Sequence, residues 1–389
     1  MLKALAVVLQ VRWWTQGGWC KRLVHLLPLA LVLAAPLLIE PETSFGSVAM
    51  DILLKVGVFV ILALGLNVVV GYLGLLELGY VTFMATGALI ATLGMMTVKT
   101  EAGWVLPAHT DYLPQGEFMF DFPGGYLVLI LIAGLFCGIL GVLRGIPTLR
   151  LTGDYYAIVT LGLAEIFYLI YRNEAWLSGG SNGLRLSHPV NDLTPKLFGE
   201  TLYYDNWMLY YLVVVIIFLT IFAMFRLQQS RIGRAWAAIR IDETAARACG
   251  INVARSKIIG FGISGFFGGV GGALLCVTSS TLSVNELDVW QSIIVLCAVV
   301  LGGMGSIRGV LLGTAILISV GEFLRQDIGG VRVPPEARYL VYGLLLLLLM
   351  RFRPQGLIPR APAGHPPSAE EEEEMRRRQT PLYVLGEKP

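Results

Sequence analysis

Long apolar runs, each near the length of a bilayer crossing, recur along this chain and constrain its fold more than any other feature. A helix needs roughly 17–25 apolar residues to cross the hydrocarbon core. We divide the chain into ten such runs: 23–39, 52–70, 73–98, 125–143, 155–171, 207–225, 258–277, 289–303, 307–323 and 338–352. A soluble domain cannot bury the apolar surface of a chain that is 56% hydrophobic and only 14% charged. The sequence therefore predicts an all-α, polytopic transmembrane helix bundle of about ten spans.

Basic residues are concentrated before the first run and after the fourth, sixth and tenth runs. With ten spans, all four places lie on one side of the membrane, and the positive-inside rule assigns that side to the cytoplasm. Both termini are then cytoplasmic. Residues 1–22 are predicted to be an interfacial segment and 23–353 the transmembrane domain. Residues 354–389 are predicted to be a disordered cytoplasmic tail, because they combine prolines with runs of like charge.

The segment 226–257, between the sixth and seventh spans, is the longest polar interruption that also has helical patterning. It holds seven basic residues and two acidic ones. Its small and apolar residues recur at a spacing that favours short surface helices with one docking face. Asp242 is placed to cap a helix that begins near Glu243, and Gly250 is placed to end it. Two interpretations remain open: a docking element for a soluble partner, or a basic loop that only sets orientation.

Glycine is abundant within the predicted spans. The third span begins near GYLGLLELGY, and its three glycines favour a broken or re-entrant start over a regular helix. In the seventh span, Gly268 and Gly269 favour close helix packing over direct contact with a substrate. Gly302 and Gly303 open a GGMGS stretch between the eighth and ninth spans. The two glycine-rich stretches are candidate breaks in related halves, and broken helices commonly build the substrate sites of transporters.

Two carboxylates fall within or beside the predicted spans, Glu77 and Glu165. A carboxylate inside a membrane is costly to bury and is by default a candidate for function, here along a transport pathway. The alternative is a hydrogen bond within the helix bundle, or an interfacial position if the span is shifted. A proton-coupled carrier would use such carboxylates in relay with further acids or histidines, and here they are few and scattered.

The sequence lacks the residues that nucleotide-binding and metal-binding sites require. The chain has seven lysines and none follows a glycine, so a P-loop for ATP is missing and any ATPase must be a separate chain. The five cysteines contain no Cys-x-x-Cys pair, and the four histidines are too dispersed for a metal cluster. We expect no cofactor on this chain, no catalytic residues and no nucleic-acid partner.

Four blocks of this chain, in order, resemble the LivM-type permeases of branched-chain amino acid ABC importers. The resemblance covers roughly residues 52–359. The blocks are GLNVVVGYLGLLELGYVTFMATGAL from Gly65; LTGDYYAIVTLGLAEIFYLIYRN from Leu151 with SGGSNGL from Ser178; GRAWAAIRIDETAARACGINVARSKIIGFGISGFFGGVGGALL from Gly233; and VVLGGMGSIRGVLLGTAIL from Val299 with RPQGLIP from Arg353.

Within segment 226–257, the residues Glu243, Ala245, Ala246 and Gly250 resemble the EAA motif of ABC importer permeases. In that family the motif lies on a cytoplasmic coupling helix that sits in a groove of the ATPase, and the resemblance implies the same docking role here. Arg240 and Arg247 are then expected to pair with acids on the partner. This chain departs from the motif by one residue, Thr244, between the glutamate and the alanines. It also has Tyr168 where relatives often have arginine.

The resemblance implies a set of partners in a bacterial inner membrane. They are a second, LivH-like permease, two ATPase subunits carrying ATP and Mg²⁺, and an extracytoplasmic substrate-binding protein, with membrane lipid around the bundle. The implied activity is import of branched-chain or other hydrophobic amino acids by alternating access. Two alternatives remain open: a permease of the same family for urea, other amino acids or amides, and a stand-alone secondary transporter.

Overall fold

The structure is a computed structural model, and it describes residues 44–96, 98–100, 103–105, 117–118, 125–149, 151, 153–174, 178–180, 183–185, 206–278, 281–283, 287–325, 335–353 and 356–358. The chain divides into two units, Met1–Pro359 and Arg360–Pro389, and all described residues belong to the first. The predicted interfacial segment 1–22 and first span 23–39 lie outside the described residues, as does most of the predicted tail.

Helices dominate the described residues. They are α1 (Ser44–Asn67), continued by a π-helical turn (Val68–Leu73), α2 (Val81–Met96), α3 (Gly125–Thr148), α4 (Asp154–Asn173), α5 (Asn206–Gln229), α6 (Arg231–Ile241), α7 (Glu243–Ala248), α8 (Val253–Thr278), α9 (Val289–Gly302), α10 (Ile307–Phe323) and α11 (Pro335–Phe352). Each of the nine predicted spans after the first overlaps one of these helices. Four of the described helices, α1 with its π turn, α3, α5 and α8, are long and apolar enough to cross a membrane, while α2 and α9 are shorter apolar helices.

Short strands depart from the all-α prediction. The strands β1 (Val98–Thr100), β2 (Gly103–Val105) and β3 (Glu117–Phe118) form one antiparallel sheet in the order β2-β1-β3. The strands β4 (Leu184–Arg185) and β5 (Thr281–Leu282) pair antiparallel in a second sheet. These strands have two or three residues each and lie in connections between helices, where backbone groups find partners locally.

Helix α8 lies at the centre of the bundle and packs mainly against α3, α2 and α1. Its glycines make this possible because they bring neighbouring backbones close. A Cβ atom at Gly268 would lie 2.7 Å from the Cβ of Phe83 on α2, and one at Gly269 would lie 2.5 Å from the Ala133 carbonyl oxygen on α3. Both glycines therefore lie where neighbouring helices come into close contact. Helix α10 packs against α9 and α1, and α5 packs against α1.

The predicted broken start of the third span is present, displaced from its expected position. The π turn ends at Leu73, and Gly74 follows with a φ of 75°, a left-handed conformation that favours glycine. The next residues are non-helical until α2 begins at Val81, eight residues later than the predicted Leu73. We call Gly74–Tyr80 the first break. The second break, Gly303–Ser306, separates α9 from α10.

Candidate functional site: the two breaks and the α6–α7 element

A buried hydrogen bond joins the end of α1, where the π turn begins, to the second break. The Oδ1 atom of Asn67, at the end of α1, accepts the backbone N–H of Gly305 in the second break at 2.8 Å. The two residues are 238 positions apart in the sequence. A Cβ atom at Gly71 would lie 2.5 Å from the same amide nitrogen, so the approach requires a glycine there. The π turn and the second break thus form one junction.

Residues after α11 close the second break from another side. The backbone N–H of Leu357 donates to the Leu301 carbonyl at 2.9 Å, and that of Ile358 donates to the Gly302 carbonyl at 3.0 Å. These carbonyls belong to the last turn of α9, where a helix leaves acceptors without partners. Residues 356–358, predicted to belong to a disordered tail, instead pack on this helix end. Gly302 also packs directly against Gly309 of α10.

Glu77 in the first break forms a buried ion pair with Arg144 of α3. The Glu77 side chain is 0% exposed. Arg144 also donates to the Gly79 carbonyl at 2.8 Å, and its guanidinium lies 4.2 Å from the centre of the Phe83 ring. Loss of one partner of a buried ion pair leaves the other charge uncompensated, which is strongly destabilising. The geometry thus gives Glu77 a charged partner on α3 that the sequence did not predict.

Side chains from two other helices satisfy backbone groups of the first break and the residue that follows it. The N–H of Leu78 donates to Thr160 Oγ1 on α4 at 3.3 Å. The N–H of Val81 donates to Ser292 Oγ on α9 at 2.7 Å. Irregular backbone within an apolar bundle persists only when its polar groups find partners of this kind. The first break is therefore held in place by specific contacts to α3, α4 and α9.

The segment between α5 and α8 forms two short helices, α6 and α7. Ser230 caps α6 and accepts the N–H of Gly233 at 3.2 Å. The predicted cap of the next helix is present: Asp242 Oδ1 accepts the N–H groups of Thr244 at 2.7 Å and Ala245 at 3.0 Å. Gly250 lies just beyond α7 with a φ of 80°, as expected for the residue that ends a helix.

Helix α6 is seated on the π turn by two side chains. Trp236 is fully buried and stacks on Tyr72 with 6.3 Å between ring centroids and an interplanar angle of 12°. Its indole N–H donates to the Ser256 carbonyl at 2.9 Å, which also ties it to α8. The Arg240 guanidinium donates to the Gly71 carbonyl, and its aliphatic stem packs against Gly74. Arg240, expected to pair with an acid on a partner, thus has an acceptor within its own chain.

Helix α7 is anchored to α8 through Glu243. Its carboxylate accepts from Lys257 Nζ at 2.8 Å and from the Arg247 guanidinium. Burial raises the pKa of Glu243, but the hydrogen bonds and charges of Lys257 and Arg247 outweigh burial and hold the pKa below its ordinary value. The motif divides between two faces, because Ala246 is buried against the chain while Ala245 and Gly250 are exposed.

Ile241, at the corner between α6 and α7, was missed by the sequence analysis. It is 86% exposed, the largest exposed fraction among the large hydrophobic residues that the structure describes. It lies outside the predicted spans. The exposed residues Ala245 and Arg247 of α7 follow it four and six positions later in the sequence. Its flanking residues, Arg240 and Asp242, place it in a polar context where an exposed isoleucine is unexpected. That contrast is the sequence signal that would have identified it.

The remaining predicted residue, Glu165, lies away from this junction. It is exposed on α4 and forms no ion pair with any residue in the described ranges. The same ranges contain no group of three or more histidine, cysteine, aspartate or glutamate residues arranged to hold a metal ion. The junction itself therefore consists of Asn67, Gly71, Gly305, Trp236 and Arg240, with Glu243 as the anchor of α7.

Comparison with known proteins identifies the family of this chain. Residues 48–350 match the family described as the permease component of branched-chain amino acid transport systems. The matched range contains both breaks and the α6–α7 element. It covers well over half of the 389 residues.

Individual relatives agree with the family match. The chain is 35% identical over 349 residues to the high-affinity branched-chain amino acid transport system permease protein LivM of Escherichia coli (strain K12), covering 85% of this chain and 73% of that protein. It is 26% identical over 333 residues to a probable branched-chain amino acid transport permease protein LivM of Methanocaldococcus jannaschii, covering 81% and 94%.

A more distant relative is the fructose import permease protein FrcC of Rhizobium meliloti, 27% identical over 259 residues, covering 64% of this chain and 68% of that protein. No solved structure matches the chain. The family match and the LivM relatives, together with the apolar helices, establish a multi-pass membrane transport protein that belongs to the family of branched-chain amino acid transport permease components.

Proposed function

We propose that this chain is the transmembrane permease subunit of an ATP-driven ABC importer in a bacterial inner membrane, and that the α6–α7 element docks on the ATPase. One observation carries the proposal: α6 is seated on the π turn by Trp236 and Arg240 while Ile241 and Ala245 remain exposed. A docking element needs one face fixed to the membrane domain and another open to the partner. The α6–α7 element has both.

The exposed surface supports docking on a groove of a soluble protein. Ile241 supplies an apolar anchor, and the small side chain of Ala245 permits close approach. Interface affinity is concentrated in a few buried anchors of this kind. In this proposal the α6–α7 end of the bundle faces the cytoplasm, together with both termini, since the basic residues of segment 226–257 lie at that end.

The contacts beneath α6 support a path for movement. A shift of α6 driven by the ATPase would act on the π turn through Trp236 and Arg240. From there it would reach the first break through Gly74 and the second break through the Asn67–Gly305 hydrogen bond. Transporters alternate access by moving elements that have two discrete packings, and backbone breaks provide such hinges. ATP and Mg²⁺ would act on the ATPase subunits only.

We infer that the transported solute is a branched-chain or other hydrophobic amino acid, because the LivM relatives carry branched-chain amino acid transport in their names. The same reasoning gives the partners: a second, LivH-like permease, two ATPase subunits and an extracytoplasmic binding protein. A urea or amide permease would share the fold and differ in solute. Uptake assays with the reconstituted importer and competing solutes distinguish these alternatives.

Substitution of Ile241 tests the docking assignment. Ile241→Glu places a charge in the proposed apolar contact and is expected to weaken co-purification of the ATPase roughly 30-fold, the size of a typical interface anchor of about 2 kcal/mol. Ile241→Met keeps an apolar side chain of similar volume and is the matched control, expected to retain association. Equal ATPase binding by the glutamate and methionine variants would contradict docking through this surface.

A further inference from the structure

An apolar groove of about 570 Å³ lies on the bundle between α3, α5 and α8. All of its lining residues are apolar; those that define its walls are Ile139, Val142, Ala223, Leu227, Ile259 and Phe266. Its volume lies in the range of roughly 300–1,000 Å³ that ligand clefts occupy. Its floor is the close approach of α3 and α8, where a Cβ atom at Gly138 would lie 3.2 Å from the Gly262 carbonyl oxygen.

Two arginines stand at one end of this groove. Arg226 is exposed and directly precedes Leu227, a lining residue of α5. Arg255 is exposed and precedes Ile259 by four residues on α8, so it lies on the same helix face one turn nearer the α6–α7 end. The groove therefore has apolar walls and a basic rim at the end where the spans meet the polar segment.

The rim arginines differ from other basic residues of segment 226–257. Arg240, Arg247 and Lys257 are each engaged with an acceptor of the chain. Neither Arg226 nor Arg255 forms an ion pair with any acid in the described part of the chain. The Arg226 guanidinium lies 5.9 Å from the centre of the exposed Phe222 ring on its own helix, which leaves its N–H donors open to an anion. Two exposed guanidinium groups without a carboxylate partner favour an anionic ligand, and guanidinium groups suit phosphate in particular.

We propose that this groove binds an anionic phospholipid, with one acyl chain along the walls and the phosphate at Arg226 and Arg255. A phospholipid joins an apolar acyl chain to a charged headgroup, and this groove joins apolar walls to a basic rim in the same way. Basic pockets between transmembrane helices bind anionic headgroups for this reason. The site connects α5 and α8, the two helices that flank the α6–α7 element. It depends on the chain being in a membrane and not on the ATPase docking proposed above.

Lipid titration of the purified full-length chain tests the proposal. Native mass spectrometry counts the lipids retained as phosphatidylglycerol or phosphatidylcholine is added to the detergent-solubilised protein. We expect phosphatidylglycerol to bind at least tenfold more tightly. A double variant, R226Q with R255Q, is expected to weaken phosphatidylglycerol binding about 30-fold, since each basic residue near the headgroup contributes roughly fivefold, and to leave phosphatidylcholine binding unchanged.

Two further variants distinguish lipid binding in the groove from non-specific electrostatic attraction of anionic lipid to basic residues. The double variant R231Q with R234Q removes the same charge from exposed positions of α6 and is expected to keep phosphatidylglycerol binding within twofold of the wild type. Ala223→Phe fills the exposed wall of the groove and is expected to abolish retention of both lipids while both rim arginines remain. The thermal unfolding midpoint of each variant is measured alongside, so that a misfolded variant is recognised and excluded.

Several results would overturn the proposal. One is equal affinity for the two lipids, and another is equal loss in both double variants, which would indicate a diffuse charge effect. A third is undiminished lipid retention by Ala223→Phe. A fourth is efficient cross-linking of a cysteine placed at position 223 to residues 23–39 or to a second permease, which would assign the groove to a protein helix.

Discussion

Glu243 and Ile241 are separated by one residue and have opposite environments. The Glu243 side chain is 28% exposed and joins Lys257, which is only 4% exposed, to α7. Ile241 faces away from the chain. Nearness in the sequence therefore does not by itself separate a residue that holds the α6–α7 element to the bundle from one that is exposed on it. Burial and hydrogen-bond partners make that separation.

Substitution of Glu243 is expected to destabilise the protein through Lys257. Glu243→Gln removes the charge that compensates a nearly buried ammonium group and should lower the free energy of unfolding by about 1–2 kcal/mol. Fully buried pairs cost about 3–5 kcal/mol when broken, and partial exposure reduces that cost. Arg247→Gln is the control, since Arg247 is 63% exposed and its loss should cost less than about 0.5 kcal/mol. Thermal unfolding in detergent measures both.

The contribution of the Glu243–Lys257 pair to stability depends on pH. The pKa of Glu243 in the folded protein lies below its ordinary value, so its stabilisation is fully present above the unfolded pKa and is lost as the pH falls through the folded pKa. The stability difference between the wild type and Glu243→Gln should therefore shrink as the pH is lowered below about 4. A difference that grows on acidification would show that Glu243 is not stabilised as a carboxylate.

At the scale of elements, α1 and α10 are joined at two levels. Asn67 and Gly305 join them at the breaks, and Lys55 Nζ lies 2.9 Å from Glu322 Oε2 at the other level. Twelve helical residues separate Lys55 from Asn67, or about 18 Å along α1. The packing of α10 on α1 is therefore fixed by polar contacts at two separate heights. The sequence analysis identified neither Lys55 nor Glu322, because their partners lie 267 residues apart.

The Lys55–Glu322 pair is expected to show energetic coupling. Lys55→Met and Glu322→Gln should each destabilise the protein by about 1–2 kcal/mol, since both side chains are about one-fifth exposed and each loss leaves a partly buried charge behind. The double variant should cost less than the sum of the two, with a coupling energy of about 1 kcal/mol in a double-mutant cycle. Strict additivity would show that the two side chains do not stabilise each other.

Glycine at position 71 is expected to be required for the junction. In Gly71→Ala the new methyl group would meet the Asn67 carboxamide and the Gly305 amide, so the π turn and the second break would have to separate. We expect a loss of at least tenfold in uptake by the reconstituted importer and a lower unfolding midpoint. Gly162→Ala on α4 is the matched control: nothing lies within 4 Å of the added Cβ, and alanine favours the helix. Equal behaviour of the two variants would contradict the close approach.

For the whole molecule, local features were predictable and long-range ones were not. The Asp242 cap, the end of α7 at Gly250 and the broken start before α2 follow from residue types at fixed short spacings. The contacts of Arg240 with Gly71 and of Asn67 with Gly305 join residues 169 and 238 positions apart, and hydrophobic periodicity carries no information about such pairs. The same reason explains why Glu77 was recognised as a buried carboxylate without its partner, Arg144.

The π turn was also unpredictable, because its six residues VVVGYL are apolar and continue the pattern of α1. Such turns recur at functional positions in helices. Here the turn displaces the chain so that Tyr72 meets Trp236 and the Gly71 carbonyl meets Arg240. We therefore propose that movement is transmitted where α6 contacts the π turn.

The most direct test of that transmission is the coupling ratio of the complete importer in proteoliposomes, measured as amino acid taken up per ATP hydrolysed. Arg240→Ala removes the guanidinium bound to Gly71, whereas Arg247→Ala removes an exposed arginine of α7 that does not contact the π turn. We expect Arg240→Ala to keep ATPase binding and hydrolysis but to lower the ratio at least tenfold, while Arg247→Ala stays within twofold of the wild type. An unchanged ratio in Arg240→Ala would show that Arg240 does not transmit movement to the π turn.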